Sequence, residues 1–473
     1  MAGASAAFGH VGSPDVYFDA QAGPYSLFVT VQPPPVIPGV AQIQIRTTSP
    51  GVHAMNATPL GLTGEAARHA PVADALRQSK QDPQYFTGAV WLMAAGSMQV
   101  RVVVDGDKGP ATVSVPLPAI AQRTLTMPTG LGFFLFAILC VLVVGLAGII
   151  GAAATEAELA PGVAPTRQAR VRQLMVVGGA LAVLIFITWL GNSWWTAEAA
   201  TYQANIYKPL QMTPSLSGGV LRLKVTDPGW LPFRKSDDFV PDHGHLMHLY
   251  LIRQPELDRV YHLHPDMTGA GVFELQMPSI APGRYKLYAD VVHEDGFPET
   301  LTASMNVPES SVTGRALDGD DAAVSATPAS EVHANTTEFL LPDGYKMRFD
   351  APAAWVAKRA ELFRFELLDP AGHAPQDMRL YMGMLGHAAF VKTDGTVFAH
   401  IHPNGSVAMA AFMMSRPDGM GSMNMDGTEP AALPNAVSFP YGFPSAGHYR
   451  IFVQMKHGDT VETGAFDAFV GRS

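Results

Sequence analysis

The chain has 473 residues, a net charge of −10 and no run of basic residues, so the clustered lysine and arginine needed for nucleic-acid binding are missing. Charged residues make up only 15% against a usual figure of about 25%, and the mean hydropathy is +0.12, which points to membrane-inserted segments. The single cysteine, Cys140, lies in an apolar run, which excludes internal disulfides, cysteine zinc sites and thiolate clusters, and no Cys-x-x-Cys-His is present for c-type haem. Any metal must therefore be held by His, Met, Asp or Glu.

Residues 1–14 have neither the charged start nor the apolar middle of a signal peptide. The topology below requires export of the N-terminal region, so a leader is expected to precede this sequence. Residues 15–127 alternate apolar and polar side chains at Tyr25–Val31, Ala41–Arg46, Tyr85–Met93 and Met98–Val104, separated by Pro and Gly. Short alternating strands between turns predict an antiparallel β-sandwich. Its only histidines after His10 are His53 and His69, without a His-x-His pair, so no metal is expected there.

Residues 130–154 form a continuous apolar run that, at about 1.5 Å per residue, crosses a hydrocarbon core of about 30 Å. A second predicted span covers 173–191, extended by Trp194, Trp195 and Tyr202 as an interfacial aromatic belt. The intervening loop 155–172 carries Arg167, Arg170 and Arg172. The positive-inside rule places it in the cytoplasm and both large flanking regions outside. Neither run contains a charged residue or histidine, so the helices read as anchors rather than a transport path.

Residues 203–308 contain Asp242-His-Gly-His-Leu-Met-His248 and Tyr261-His-Leu-His-Pro265, with strands expected at His245 to Ile252 and Tyr261 to His264. Residues 309–335, rich in Ser, Ala and Asp without periodicity, read as a linker. Residues 336–473 repeat the pattern as Tyr381-Met-Gly-Met-Leu-Gly-His387 and Phe398-Ala-His-Ile-His-Pro403, with a Met-rich insertion at Met409 to Met425. Gly283…His293 and Gly447…His457 also correspond, so His248, His262, His264 and His293 recur as His387, His400, His402 and His457. His243 and His245 fall on Met382 and Met384. The N-terminal segment from Gly96 has Gly106 where the copies have histidine.

On a strand, residues two apart share a face about 6.6 Å apart, so His262 with His264 and His400 with His402 can each converge on one point. His248 and His293, or His387 and His457, are expected to complete three or four nitrogen ligands within each copy. His243, His245, Met382 and Met384 are secondary candidates, because in a regular strand His243 and His245 would face away from His248. Imidazole suits Cu, Zn, Ni and Fe, while thioether selects Cu(I), so the exchange of His for Met favours copper, as Cu(I) or Cu(II), over zinc. Asp242, Asp290 and Glu294 are candidates for orienting an imidazole. The bland alternative is a structural network of core histidines hydrogen-bonded to backbone. No nucleophile elbow, phosphate loop or Rossmann glycine pattern is visible, so no enzyme activity is expected.

The hairpin Trp91-Leu-Met-Ala-Ala-Gly-Ser-Met-Gln-Val-Arg-Val102 resembles the close of YtkA-like periplasmic domains. Met382-Gly-Met-Leu-Gly-His-Ala388, Phe398–Pro403 and Phe439-Pro-Tyr-Gly-Phe-Pro444 resemble a group of bacterial membrane-anchored envelope proteins associated with copper and respiratory functions. The resemblance implies an envelope location and a metal role, not a catalytic one. The expectation is therefore a mainly β protein of three Ig-like antiparallel β-sandwich domains plus a two-helix transmembrane hairpin. It would sit in the cytoplasmic membrane with its soluble regions periplasmic and bind copper for storage, delivery or resistance. The competing expectation is a non-catalytic accessory subunit of a respiratory or transport complex, docking an envelope protein partner.

Overall fold

The computed structural model describes residues 13–155, 160, 162–309, 314–317, 319–416 and 432–472; the first twelve residues with His10, and the Met-rich insertion beyond Arg416, fall outside them. The chain divides into two compact units, Met1–Gln122 with Tyr207–Ser473 and, separately, Arg123–Ile206.

The smaller unit consists of two helices, Thr129–Thr155 and Arg167–Ala204, both long and apolar enough to cross a membrane. The second begins earlier and ends later than the 173–191 span. Thr166 caps its start by accepting from the Ala169 amide at 3.2 Å, so Arg167, Arg170 and Arg172 lie in the helix rather than in a loop. The guanidinium of Arg172 donates to the Ala154 carbonyl at 2.6 and 3.0 Å, satisfying an acceptor that the end of the first helix would leave open. Beyond Leu190 the helix continues through Trp194 and Trp195 into Thr196-Ala-Glu-Ala-Ala, a stretch rich in strong helix formers.

The larger unit is built of β-sandwiches. In the N-terminal one, a sheet ordered Val16–Ala22, Tyr25–Gln32, Gly39–Thr47, Tyr85–Leu92, Arg77–Gln78 accompanies a second ordered Asp74–Ala75, Val52–Gly61, Gly96–Gly106, Ala111–Ala119. The two His-bearing copies share one plan. Each has a four-stranded sheet and a larger sheet centred on the long strands Gly283–His293 and Gly447–His457, which pair with His248–Arg253 and His387–Lys392 respectively. The registers correspond as well. His248 is opposite Asp290 and Tyr250 opposite His262 in the first copy, while His387 is opposite Gln454 and Ala389 opposite His400 in the second.

Alternation along these strands sends Leu249, Leu251, Leu287 and Ala289 into the core of the first sandwich, and Tyr250, Ile252 and Tyr288 out of it. The outward face is buried too, because it packs on Ala389, Val391, Phe398, Phe452 and Ala465 of the second copy. Phe398 stacks on Tyr288 with ring centroids 4.1 Å apart. Burial on both faces explains why His248–Arg253 and His387–Lys392 read as unbroken apolar runs. Arg450, 1% exposed, ties this junction together: it pairs with Asp467 at 2.7 Å and donates to the carbonyls of Leu257 and Thr327.

The segment read as a linker is partly built into this junction. Ala322–Ser325 pairs with Arg259–His262 as the edge strand of the first copy's large sheet, and the Ala329 amide bonds the Glu256 carbonyl. Four residues are too few to show a period, so the strand had no signature in the sequence.

The N-terminal sandwich docks through its first strand on the turn that follows His402. The Asp19 amide bonds the Asn404 carbonyl at 2.9 Å and the Ser406 amide bonds the Tyr17 carbonyl at 2.9 Å. Gly405, at φ +120°, lets the chains approach: a Cβ there would lie 1.9 Å from the Tyr17 oxygen. Gly405→Ala is therefore expected to cost about 2–3 kcal/mol. Urea unfolding of the full chain in detergent measures it, with earlier proteolytic release of residues 13–122 as the accompanying sign.

Candidate metal centre

The turns Asp242-His-Gly-His245 and Tyr381-Met-Gly-Met384 have the same backbone. His243 and Met382 adopt φ near +50° and are each followed by a glycine at positive φ, and each turn closes with a bridge between its first and fourth residues. The strand expected from His245 thus begins only at His248. Because a tight turn replaces extended chain, His243 and His245 are released from strand alternation and come beside His248, with ring centroids 6.1 and 5.9 Å away.

Across the junction the equivalent residues make reciprocal contacts. His262 Nδ1 donates to Gln454 Oε1 of the second copy at 2.9 Å, and His400 Nδ1 donates to Asp290 Oδ2 of the first at 3.2 Å. The outcome is one continuous cluster of eight imidazoles, five from the first copy (His243, His245, His248, His262, His264) and three from the second (His387, His400, His402). Two sets could each hold an ion, with one ligand atom per residue inside 4.8 Å of the others: His248, His262 and His264, and His243, His387 and His402. The first set lies within the first copy, as expected, though without His293; the expectation is corrected for the second, where His243 crosses to the second copy's histidines, and His400 lies between the sets, its ring centroid 5.5 Å from that of His248 and 4.7 Å from that of His402.

The hydrogen-bond partners decide where the ring protons sit. His248 Nε2 meets the Asp242 carbonyl at 2.9 Å and must donate to it, which leaves a lone pair on Nδ1. His262 Nδ1 meets Gln454 Oε1, which also accepts from Tyr250 Oη at 3.5 Å, and lies 3.3 Å from a Tyr381 hydroxyl whose own proton goes to the Asp320 carbonyl. Nδ1 therefore carries the proton and Nε2 the lone pair. These two lone-pair nitrogens, His248 Nδ1 and His262 Nε2, face each other at 3.2 Å. Two nitrogens bound at 2.0–2.1 Å to one tetrahedral ion would stand about 3.3 Å apart.

Three further rings follow the same rule. His243 donates through Nδ1 to the Met382 carbonyl, His264 to Asp321 and His402 to the Val407 carbonyl. Buried nitrogens of His243, His264, His387 and His400 have no hydrogen-bond partner among the described residues, a condition that costs about 1–3 kcal/mol each when nothing compensates it. Burial, and then the neighbouring imidazoles, hold His248, His262 and His387 well below the ordinary histidine pKa; burial likewise lowers His264, against the pull of Asp321.

His293 and His457 do not join the cluster. Paired residues share a face, so Asp290 and Gln454 point with His248 and His387, and residues three further along point the other way. There each histidine closes a carboxylate chain that sequence reasoning missed: Asp238, His293, Glu299 in the first copy and Asp377, His457, Glu462 in the second. The signal was present in the repeat, as an aspartate ten residues before His248 and His387 and a Glu-Thr pair shortly after each last histidine. Burial alone would lower the His293 pKa, but its bonds to Asp238 and Glu299 push it up to about 9. Glu462 is pushed up to about 7, by burial first and the charge of Asp343 next.

Of the proposed orienting carboxylates, Asp290 meets His400, while Asp242 acts through its carbonyl on His248 and its carboxylate on the Ala410 amide. Glu294 is exposed. Asp320 and Asp321, from the supposed linker, take its place beside His245 and His264. Met382 touches the cluster through its carbonyl, and Met382 and Met384 are both buried. In the N-terminal sandwich His53 pairs with Asp107 and His69 with Glu65, both exposed.

Residues 216–309 and 338–471 match the profile of a domain of unknown function, DUF8832. No curated protein matches the sequence. Among solved structures, the chain is similar to a tetra-tandem repeat from the extending region of a large adhesion protein (8% identity, 92% of this chain and 96% of that one, TM-score 0.17). It is also similar to a putative membrane anchored protein from Corynebacterium diphtheriae (10%, 96% and 94%, 0.17) and to Salmonella alpha-2-macroglobulin (8%, 98% and 24%, 0.21). These likenesses carry no argument about function.

The titrations predict a stability maximum. Unfolded imidazoles protonate near about 6.5; the four buried ones do so only at lower pH when folded, so their contribution is full above about 6.5 and is lost as pH falls towards their folded values. His293 runs oppositely, with its contribution full below about 6.5 and lost as pH rises through about 9. Urea midpoints of metal-free protein should fall on both sides of about pH 6.5–7, and His293→Gln should flatten the alkaline limb only.

Proposed function

We propose that this protein binds copper between its two His-bearing domains, for storage, delivery or resistance, while its helices anchor it in the cytoplasmic membrane with the β-sandwich unit outside the cytoplasm. The observation that carries the reading is the pair of lone-pair nitrogens, His248 Nδ1 and His262 Nε2, facing each other at 3.2 Å inside a cluster of buried imidazoles. Two lone pairs repel unless a cation lies between them. Of the remaining rings, His243, His245, His264, His400 and His402 are oriented as ligating histidines are, with one nitrogen donating to a carbonyl or carboxylate, while neither buried nitrogen of His387 has a partner among the described residues.

Thioether chemistry favours copper over zinc. Met382 and Met384 sit on the turn that meets His243, and the helix Met409–Ser415, with Met409, Met413 and Met414, is fastened to the cluster by the 2.7 Å bond from the Ala410 amide to Asp242. The adjoining cavity, lined by His248, Asp290, His400 and His402, has a volume of about 30 Å³, room for a water but not for an organic substrate. That supports a binding role over a catalytic one. Arg167, Arg170 and Arg172 at the junction of the helices favour the cytoplasm for that end.

Copper titration of the tag-free full chain tests the reading. Cu(I), under reducing conditions and against a competing chelator, should bind more tightly than Zn(II), and His243→Ala with His387→Ala should remove one set while leaving the other. Because the second set takes ligands from both copies and Gln454 of the second copy orients His262 of the first, separated copies should bind far less than the whole chain. A chain that binds neither metal would overturn the reading in favour of a docking role for a partner complex.

The topology has its own measurement. Protease added to intact spheroplasts should digest residues on both sides of the helices and spare the segment joining them; protection of the C-terminal region would reverse the orientation.

A further inference from the structure

The two copies treat their carboxylate chains differently. In the first, buried Glu299 has a cation: Arg234, its side chain 2% exposed, approaches at 3.4 Å while also pairing with Asp227, and the Tyr207 hydroxyl and Leu210 amide complete the carboxylate at 2.7 and 2.6 Å. The second copy repeats Asp, His and Glu without the arginine. Glu462, its side chain 6% exposed, stands with a further carboxylate, Asp343, and no lysine or arginine forms an ion pair with Asp343, Asp377 or Glu462 among the described residues.

The imidazole of His457 is aimed into this gap. Its Nδ1 is held by Asp377 at 3.4 Å and its ring stacks on Tyr345 with centroids 4.1 Å apart. Its Nε2 lies 3.4 Å from Glu462 Oε1 and 3.7 Å from Asp343 Oδ2, yet it is buried and hydrogen-bonded to neither. One ligand atom from each of Asp343, His457 and Glu462 lies within 4.8 Å of the other two.

We propose that the second copy binds a divalent cation of the zinc and manganese class between His457 Nε2, Glu462 and Asp343, where the first copy holds a guanidinium. Two carboxylates sharing a pocket disfavour each other's charge, and a dication relieves this as Arg234 does in the first copy. One imidazole and two carboxylates form a borderline-to-hard ligand set, unlike the all-imidazole central cluster. Asp377 supplies the carboxylate that orients the ligating ring. Strand alternation puts His457 on the sheet face opposite Gln454 and His387, so this site is separate from the cluster.

The test uses the full chain, tag-free and stripped with chelator. Mn²⁺, a poor ion for an all-imidazole site, is titrated by the electron paramagnetic resonance signal of the free ion, and Zn²⁺ is followed by thermal unfolding. One Mn²⁺ per chain is expected, with affinity reduced about tenfold or more by Glu462→Gln and by Asp343→Asn. Asp343→Asn should also raise the midpoint of metal-free protein, since it relieves like-charge repulsion, and abolish the rise caused by metal. His387→Ala should leave Mn²⁺ binding intact while impairing copper, which separates failure of this site from failure of the central one. Mn²⁺ binding that survives both carboxylate substitutions, or no binding by the parent chain, would overturn the proposal. If Glu462→Gln does not fold, Asp343→Asn, at a side chain 41% exposed, carries the test alone.

Discussion

The histidine cluster of the larger unit depends on the face-to-face packing of the two His-bearing sheets. Aromatic and aliphatic residues fill the middle of the junction, Phe398 against Tyr288 and Tyr250, and histidines occupy one end. Removing that end from water depresses the pKa values of His248, His262 and His387 and keeps those rings neutral. The same contact in a water-filled cleft would leave ordinary surface histidines.

Reciprocity gives the junction its register. His262 reaches Gln454 and His400 reaches Asp290, equivalent residues exchanged between copies, much as an isologous dimer interface repeats its contacts. The copies differ where the exchange is unequal: Asp290 is a carboxylate and Gln454 an amide, and the turns carry His243 and His245 in one copy and Met382 and Met384 in the other. Five imidazoles from one side and three from the other are the result.

The outer faces of the same sheets show a divergence of another kind. A shared chain of aspartate, histidine and glutamate is neutralised by Arg234 in one copy and left with an extra carboxylate, Asp343, in the other. The histidine that recurs most plainly by its spacing from glycine is thus not one of the cluster. Recurrence recorded a shared need of the fold, a buried carboxylate to be matched, and this looks the same in sequence as a shared ligand.

The sequence by itself determined the sandwiches, the two apolar helices and the correspondence of the copies, because these depend on local patterns: alternation with period two, unbroken apolar runs and repeated spacing. His262 with His264 and His400 with His402 were legible as pairs for the same reason. Only the tertiary structure decided which histidines meet. His243 and His245 join because their chain turns at a left-handed residue instead of extending; His293 and His457 are excluded by strand parity counted from partners across the sheet; Asp320 and Asp321 enter from a segment with no periodic signature, and Gln454 from a strand of the other copy. Proximity across a junction between domains is a property of two surfaces at once, and no spacing within either of them encodes it.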